Sequence, residues 1–152
     1  MRAWMLIFLG LSLFGTPSLA QDYACPPTPE DEMGPFYRPG APVRARVGSG
    51  YVVAGRVLSA RDCRPLAKAR IEYWLTNEHG RYSHSHRGTI FSDGAGRYRF
   101  ETNPLGHYTG RPPHIHLRIS APGHHTLVTQ HYPKMGETQT EFDLVLKPSI
   151  ED

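Results

Sequence analysis

The residues best suited to chemistry are histidines and tyrosines in the second half of the chain. All nine histidines lie between His79 and His131, and two of them, His114 and His116, are separated by one residue. They belong to a segment in which polar and apolar residues alternate. Successive side chains of a β-strand point to opposite faces, so both imidazoles would lie on one face and Ile115 on the other. Two imidazoles this close together can bind one metal ion.

A His-x-His pair does not identify the metal or the remaining ligands. The sequence lacks His-Glu-x-x-His and clustered cysteines, which are the usual zinc signatures. A carboxylate could complete the site, but no acidic residue stands out among Glu78, Asp93 and Glu101. A tyrosine also follows a turn glycine by two positions three times, at Tyr82, Tyr98 and Tyr108. Tyr98 alternates with Phe100 and is expected in the core. Composition alone does not show whether Tyr82 or Tyr108 is a ligand.

The elements that would position these residues are short strands. Apolar alternation separated by Gly, Pro, Asn and Asp predicts strands over residues 51–59, 70–76, 97–102, 114–120, 125–132 and 142–146. Residues 21–50 are rich in proline and glycine and have no sustained period, which predicts an extended arm laid over the domain. The sequence therefore predicts an all-β sandwich of two sheets with an extended N-terminal arm.

The N-terminus has the features of a signal peptide. Arg2 precedes an apolar run, and Ser18-Leu19-Ala20 places small residues where signal peptidase requires them. We expect cleavage near Ala20, which leaves residues 21–152 as one domain in the periplasm or outside the cell. The apolar run is too short to span a bilayer, so no membrane association is expected after cleavage.

The cysteine content and the distribution of charge indicate which covalent links and which partners to expect. Cys25 and Cys63 are the two cysteines, and an even number in an exported protein favours a disulfide, with two unpaired buried thiols as the alternative. The net charge is +3, and the basic residues are scattered along the chain. This distribution does not favour nucleic acid as a partner.

Four motifs follow one another in a specific order. They are Gly80-Arg81-Tyr82-Ser83-His84, the run from Ser92 to Phe100, Gly106-His107-Tyr108, and Arg111-Pro112-Pro113-His114-Ile115-His116. Gly34-Pro35-Phe36-Tyr37 precedes them and Thr129-Gln130-His131-Tyr132 follows. Together they resemble the intradiol dioxygenase family, which includes the catechol and protocatechuate dioxygenases. The resemblance covers most of the chain that follows the signal peptide.

The resemblance implies an iron(III) centre in a transthyretin-like β-sandwich. Its four protein ligands would be Tyr82, Tyr108, His114 and His116, with Tyr108 and His116 in axial positions. Arg111 matches the active-site arginine of the family, and Gln130 matches a polar residue of the pocket. The implied reaction uses O2 to cleave a catechol-type ring to a muconate-type diacid. Ferric iron prefers anionic oxygen ligands and accepts imidazole, which agrees with this ligand set.

In the implied mechanism the catechol chelates the iron, and its two oxygens replace a bound hydroxide and the Tyr108 phenolate. The displaced groups take up the substrate protons, while Arg111 stabilises the negative charge that develops on the substrate. The intervals from Tyr82 to Tyr108 and from Tyr108 to His114 are shorter than in well-known members. The sequence therefore does not determine which catechol is the substrate. A homo-oligomer is suggested by the resemblance to the family alone.

Two other functions are compatible with parts of the sequence. The segment from Gly55 to Ile71 also resembles transthyretin-like and carboxypeptidase-regulatory modules, which are non-catalytic, but they do not explain Arg-Pro-Pro-His-Ile-His. A periplasmic protein that binds copper or zinc could use His84, His86, His124 and His125, which we otherwise expect to be exposed in loops. Tyr73 and Trp74 are expected to pack in the core, and Arg118 to line the pocket or form a surface ion pair.

Overall fold

The computed structural model describes residues 22–106 and 110–149, which form two facing β-sheets. The strands are β1 (Tyr51–Ser59), β2 (Arg70–Thr76), β3 (Tyr82–Phe91), β4 (Arg97–Thr102), β5 (Ile115–Ser120), β6 (Leu127–His131), β7 (Gln139–Glu141) and β8 (Leu144–Leu146). One sheet has the order β3-β2-β5-β6, and in the other β1 pairs with β4, β7 and β8. The predicted signal peptide and Tyr108 lie outside the described residues.

The all-β, two-sheet prediction is confirmed, with differences in individual strands. The segment predicted over residues 142–146 contains β8, whereas β7 was not predicted; the two strands pair with successive parts of β1. Strand β3 was not predicted. Its first half is polar, and Ser83, His84 and Ser85 in succession are exposed. Such a segment shows no alternation, and it is an edge strand held by backbone pairing with β2.

The core lies between the sheets and contains the apolar face of β5. Ile115, Leu117 and Ile119 are fully buried in it, whereas His114 and His116 are on the opposite face, as the alternation predicts. The ring of Tyr98 also lies in the core, as predicted, and its hydroxyl donates a hydrogen bond to the Phe142 carbonyl.

The N-terminal arm crosses the outer face of the β3-β2-β5-β6 sheet. The Asp31 amide donates to the Val128 carbonyl of β6 at 2.9 Å, and the Arg44 amide donates to the Thr89 carbonyl of β3 at 3.0 Å. These bonds fasten the arm to both edges of the sheet. The extended arm is therefore confirmed, and it covers the face that carries the two histidines.

A disulfide joins the beginning of the arm to the segment that follows β1. It links Cys25 and Cys63, as predicted. Next to it the Cys25 amide donates to the Ala60 carbonyl at 3.1 Å. In the part of the chain that the structure describes, no helix has the length and apolar character needed to cross a bilayer.

Candidate metal centre

Three strands bring one tyrosine and the two histidines together at one end of the outer face. Strand β2 lies between β3 and β5, with its Thr76 opposite Tyr82 and its Trp74 opposite His116. A turn between β2 and β3 sets the position of Tyr82. In this turn the Asn77 side-chain oxygen accepts hydrogen bonds from two backbone amides, each at 3.0 Å. Asparagine favours such turns because its side chain can replace a backbone acceptor.

The polar atoms of these three side chains converge on one point. The Tyr82 Oη atom lies 3.0 Å from Nε2 of His116 and 3.3 Å from Nε2 of His114. The two Nε2 atoms are 3.1 Å apart. Nitrogen and oxygen donors bind a first-row ion such as zinc at about 2.0–2.1 Å, so donors at right angles around one ion lie about 3 Å apart. The spacing therefore fits three ligands of a single metal ion.

The surroundings of each imidazole favour metal binding in a different way. The Nδ1 atom of His114 lies 2.8 Å from the Pro112 carbonyl, which can only accept, so Nδ1 carries the proton and Nε2 presents a lone pair. Burial, and then the charge of His114, lower the pKa of His116 to about 4. A neutral imidazole is the species that binds a metal, so the lowered pKa of His116 favours metal binding by this ring at neutral pH.

Aromatic rings and the arm enclose the cluster. The Trp74 ring stacks on the imidazole of His116, with centroids 4.9 Å apart and planes 3° from parallel. From the arm, Phe36 stacks on Tyr82 at 4.5 Å, and Gly34 lies over His116. Tyr73 packs in the core cluster as predicted; Trp74 is also buried as predicted, but on the outer face, where its ring lies against His116.

A buried carboxylate fastens the arm beside this cluster. The Tyr37 hydroxyl lies 3.2 and 3.3 Å from the two carboxylate oxygens of Glu72, which is 3% exposed. Arg118 pairs with Glu72 at 2.9 Å and Arg70 pairs with it at 3.3 Å. Arg118 forms an ion pair as predicted, but with a buried carboxylate and not at the surface. The two cationic partners and the phenol donor offset the free-energy cost of burying the Glu72 charge, so Glu72 holds the arm firmly.

Arg111 and Gln130 lie next to the histidines. The Arg111 Nη2 atom is 3.3 Å from both Gln130 Oε1 and Tyr132 Oη. Gln130 lies opposite His116 in the β5–β6 register, and its amide donates to the Glu32 carbonyl at 2.6 Å. The predicted pocket residues Arg111 and Gln130 are thus brought to the cluster, while Tyr108 lies outside the described residues.

Sequence reasoning missed two members of this network. The Tyr132 hydroxyl donates to Asp31 Oδ2 at 2.9 Å, and the Tyr132 ring lies 5.9 Å from that of His114. Tyr132 is two residues beyond Gln130, so strand alternation could have placed it on the same face. No local signal marked Asp31, which reaches the site through the path of the arm.

The acidic residues considered as ligands lie elsewhere. Asp93 pairs with Arg97, Glu101 with Arg46, and Glu78 with His79. Within residues 22–106 and 110–149, no three or more His, Cys, Asp or Glu side chains are grouped so that they could hold a metal ion. His84 is exposed as expected, but the expectation that His84 and His86 lie in a loop is wrong, because both belong to β3. The Nε2 atom of His124 lies 3.0 Å from the Ser59 hydroxyl.

Comparison with known proteins agrees with this geometry. A protein-family model described as "Dioxygenase" matches residues 40–147. The chain is 34% identical over 137 residues to a catechol 1,2-dioxygenase of Candida albicans, over 66% of this chain and 45% of the relative. It is also 34% identical over 138 residues to catechol 1,2-dioxygenase 2 of Acinetobacter lwoffii, over 68% of this chain and 50% of the relative.

A solved structure extends the comparison to three dimensions. It is the dioxygenase domain of a dioxygenase and carbohydrate-binding protein fusion from Streptomyces sp. SirexAA-E, with a TM-score of 0.73 and 28% identity. The match covers 82% of this chain and 100% of that domain. The chain belongs to the intradiol ring-cleavage dioxygenase family. It spans about half the length of the curated relatives that it matches.

Proposed function

We propose that this chain is an iron(III)-dependent intradiol dioxygenase. It would use O2 to cleave a catechol-type ring between the two hydroxyl-bearing carbons and form a muconate-type diacid. The observation that carries the proposal is the convergence of Tyr82 Oη with the Nε2 atoms of His114 and His116 within 3.0–3.3 Å. Relatives named catechol 1,2-dioxygenase support catechols as the substrate class.

The proposed iron ligands are Tyr82, His114 and His116, together with Tyr108 from its place in the motif order. Two phenolates would offset two charges of a ferric ion, for which anionic oxygen is the preferred ligand. When bound, the ion would supply the Lewis acidity that withdraws electron density from a chelated ring. The neighbouring Pro112 carbonyl keeps the Nε2 atom of His114 available for this role.

The surrounding side chains would bind and orient the substrate. Arg111 places a guanidinium beside the cluster, where it would stabilise negative charge on a bound catecholate. Gln130 and Tyr132 hold that guanidinium in place. The Tyr108 phenolate oxygen would accept one of the two catechol protons. The arm over His116 would limit the access of water.

We further propose that the protein works after export, in the periplasm or outside the cell. The Cys25–Cys63 disulfide supports this location, because disulfides persist in oxidising compartments. N-terminal sequencing of the natively produced protein tests the proposal: a start near Gln21 is expected, and a retained Met1 would contradict it.

Oxygen uptake by the iron-loaded mature protein tests the activity. The substrates would be catechol, protocatechuate and hydroxyquinol, with each product identified. Muconate-type diacids are expected, whereas semialdehyde products would indicate cleavage outside the diol. A protein without stoichiometric iron or turnover would favour the non-catalytic binding module.

The colour of the iron-loaded protein tests the tyrosine ligands. Charge transfer from phenolate to iron(III) should make it red-brown, and Tyr82→Phe should weaken this band. Tyr108→Phe should retain iron while ring cleavage falls steeply. Tyr51→Phe is a matched control, because the Tyr51 hydroxyl also contacts a histidine nitrogen, Nε2 of His131, at 2.7 Å. A colourless protein, or equal effects of Tyr51→Phe and Tyr82→Phe, would exclude the proposed ligand set.

A further inference from the structure

A second concave site lies beside the candidate metal centre. It is a cavity of about 360 Å³ that shares the Tyr82 ring with the cluster but is not lined by His114 or His116. Its other aromatic walls are Phe36 and Trp74. Its basic residues come from the arm and from β3 with the preceding turn: Arg38, Arg81, His84 and Arg87.

Many arginines of the described chain are paired with carboxylates, but those that line this cavity are not. In the described parts of the chain, six arginines form ion pairs with carboxylates: Arg46, Arg56, Arg64, Arg70, Arg97 and Arg118. Arg38, Arg81 and Arg87 have no carboxylate partner among these residues, and no acidic residue lines the cavity. The cavity is therefore a concentration of uncompensated positive charge.

One of these guanidinium groups is fixed in position. The Arg87 Nη1 atom donates to the Arg38 carbonyl at 2.7 Å, and Nη2 lies 2.9 Å from the Nδ1 atom of His84. The charge is thus held between the arm and β3 without a counter-ion from the described protein. A preorganised cation of this kind costs little further ordering when an anion binds.

We propose that this cavity binds a planar carboxylate that is conjugated to an aromatic ring or an unsaturated chain. Guanidinium groups recognise carboxylates through paired hydrogen bonds, and the aromatic walls offer faces for a planar group. The volume exceeds that of a carboxylate alone and falls in the range of small-molecule sites. Two sources share this chemistry: the carboxylated side chain of a catechol, or a diacid of the kind formed in the proposed reaction. Both sources rest on the proposed function, but binding itself does not.

Direct binding to the iron-free mature protein tests the cavity. Cinnamate is the probe, because it has the planar carboxylate but no diol that could chelate a metal, and cinnamamide is its neutral counterpart. Followed by Trp and Tyr fluorescence, cinnamate should bind about tenfold more tightly than the amide, as expected for a charge-assisted contact. The difference should shrink with added salt, since both Arg38 and Arg81 are exposed.

A pair of arginine variants locates the binding. Arg81→Gln should remove most of the preference for cinnamate over cinnamamide. Arg61→Gln is the matched control: Arg61 also lacks a described carboxylate partner, but it lines a separate cavity near the disulfide that has no Phe, Tyr or Trp in its wall. Equal affinity for acid and amide, or equal effects of the two variants, would overturn the proposal. Circular dichroism of both variants checks that they fold.

Turnover by the iron-loaded protein distinguishes the two sources. If the carboxylate belongs to the substrate, caffeate should have a higher kcat/KM than its amide, and Arg81→Gln should reduce that ratio. If the ligand is a separate diacid, muconate should inhibit catechol cleavage non-competitively, and Arg81→Gln should weaken the inhibition. Both results support the cavity. Cinnamate binding without any catechol cleavage would reject only the proposed function, and catechol cleavage without charge preference at the cavity would reject only this inference.

Discussion

Gly34 lies directly over the imidazole of His116. A Cβ atom at Gly34 would be 3.3 Å from Cε1 of that ring, and Gly34 has a φ of +68°. Two independent constraints therefore disfavour a larger residue at this position: the left-handed backbone and the close approach to His116. The arm is thus shaped to pass over the cluster at this residue.

Gly34→Ala should disturb the metal centre beyond its effect on the backbone. The positive φ should cost about 1–2 kcal/mol of unfolding free energy. The added methyl group should also displace the arm or the His116 ring, so iron affinity and kcat should fall. Gly40→Ala is a close control, because Gly40 has a φ of +75° and its added methyl group would meet no atom within 4 Å. Similar stability losses but equal activity in the two variants would show that the approach to His116 is unimportant.

Tyr37→Phe should loosen the arm while leaving the cluster complete. The hydroxyl that donates to Glu72 is lost, and a hydrogen bond to a charged group contributes about 1.5–3 kcal/mol. We expect faster proteolysis within the arm and a higher KM for catechol, with iron still bound. Glu72→Gln should have a larger effect, because Arg118 and Arg70 lose their partner as well. Unchanged proteolysis in both variants would show that Glu72 does not hold the arm.

Replacing both cysteines by serine should lower the unfolding free energy. The residues are 38 positions apart, and a cross-link closing a loop of this size contributes about 4 kcal/mol in the chain-entropy model. Chemical denaturation of the Cys25→Ser, Cys63→Ser variant measures the loss. Adding a reductant should destabilise the native protein similarly and leave the variant unaffected. A reductant effect on the variant would show that another group is responsible.

Stability should fall as the pH is lowered through the normal titration range of histidine. Burial lowers the pKa of His131 in the folded state, although the charge of Glu137 opposes this. An unfolded histidine titrates near pH 6.5, so below that pH the unfolded chain binds a proton that the folded chain does not, and unfolding becomes easier. His131→Gln should reduce the decline in unfolding free energy between about pH 7.5 and 5.5. This window extends about one unit on either side of the pKa of an unfolded histidine. The exposed His125→Gln is the control, and equal changes in the two variants would contradict the assignment to His131.

Local patterns were sufficient to predict much of the fold. Strands β1, β2 and β4 begin and end where alternation predicts, because each has one face in the core and one turned away. The same rule places Ile115 in the core and His114 and His116 opposite it.

The remaining features depend on contacts between distant segments. Trp74 meets His116 because β2 and β5 pair in one particular register, which neither strand determines alone. Strand β3 takes its conformation from backbone pairing at a sheet edge, although its first residues are polar. Asp31 reaches Tyr132 only through the course of the arm. Such long-range arrangements leave no periodic signal in the sequence.

The arm that passes over the cluster has no strand of its own between residues 31 and 40, whereas the side chains beneath it project from a paired sheet. The segment that covers the site and the strands that carry its side chains are therefore different parts of the chain. Substitutions at Phe36 and Arg38 can therefore change the part of the arm that borders the site without breaking a hydrogen bond between strands. The proposed substrate preference can change in this way while the proposed metal ligands stay in place.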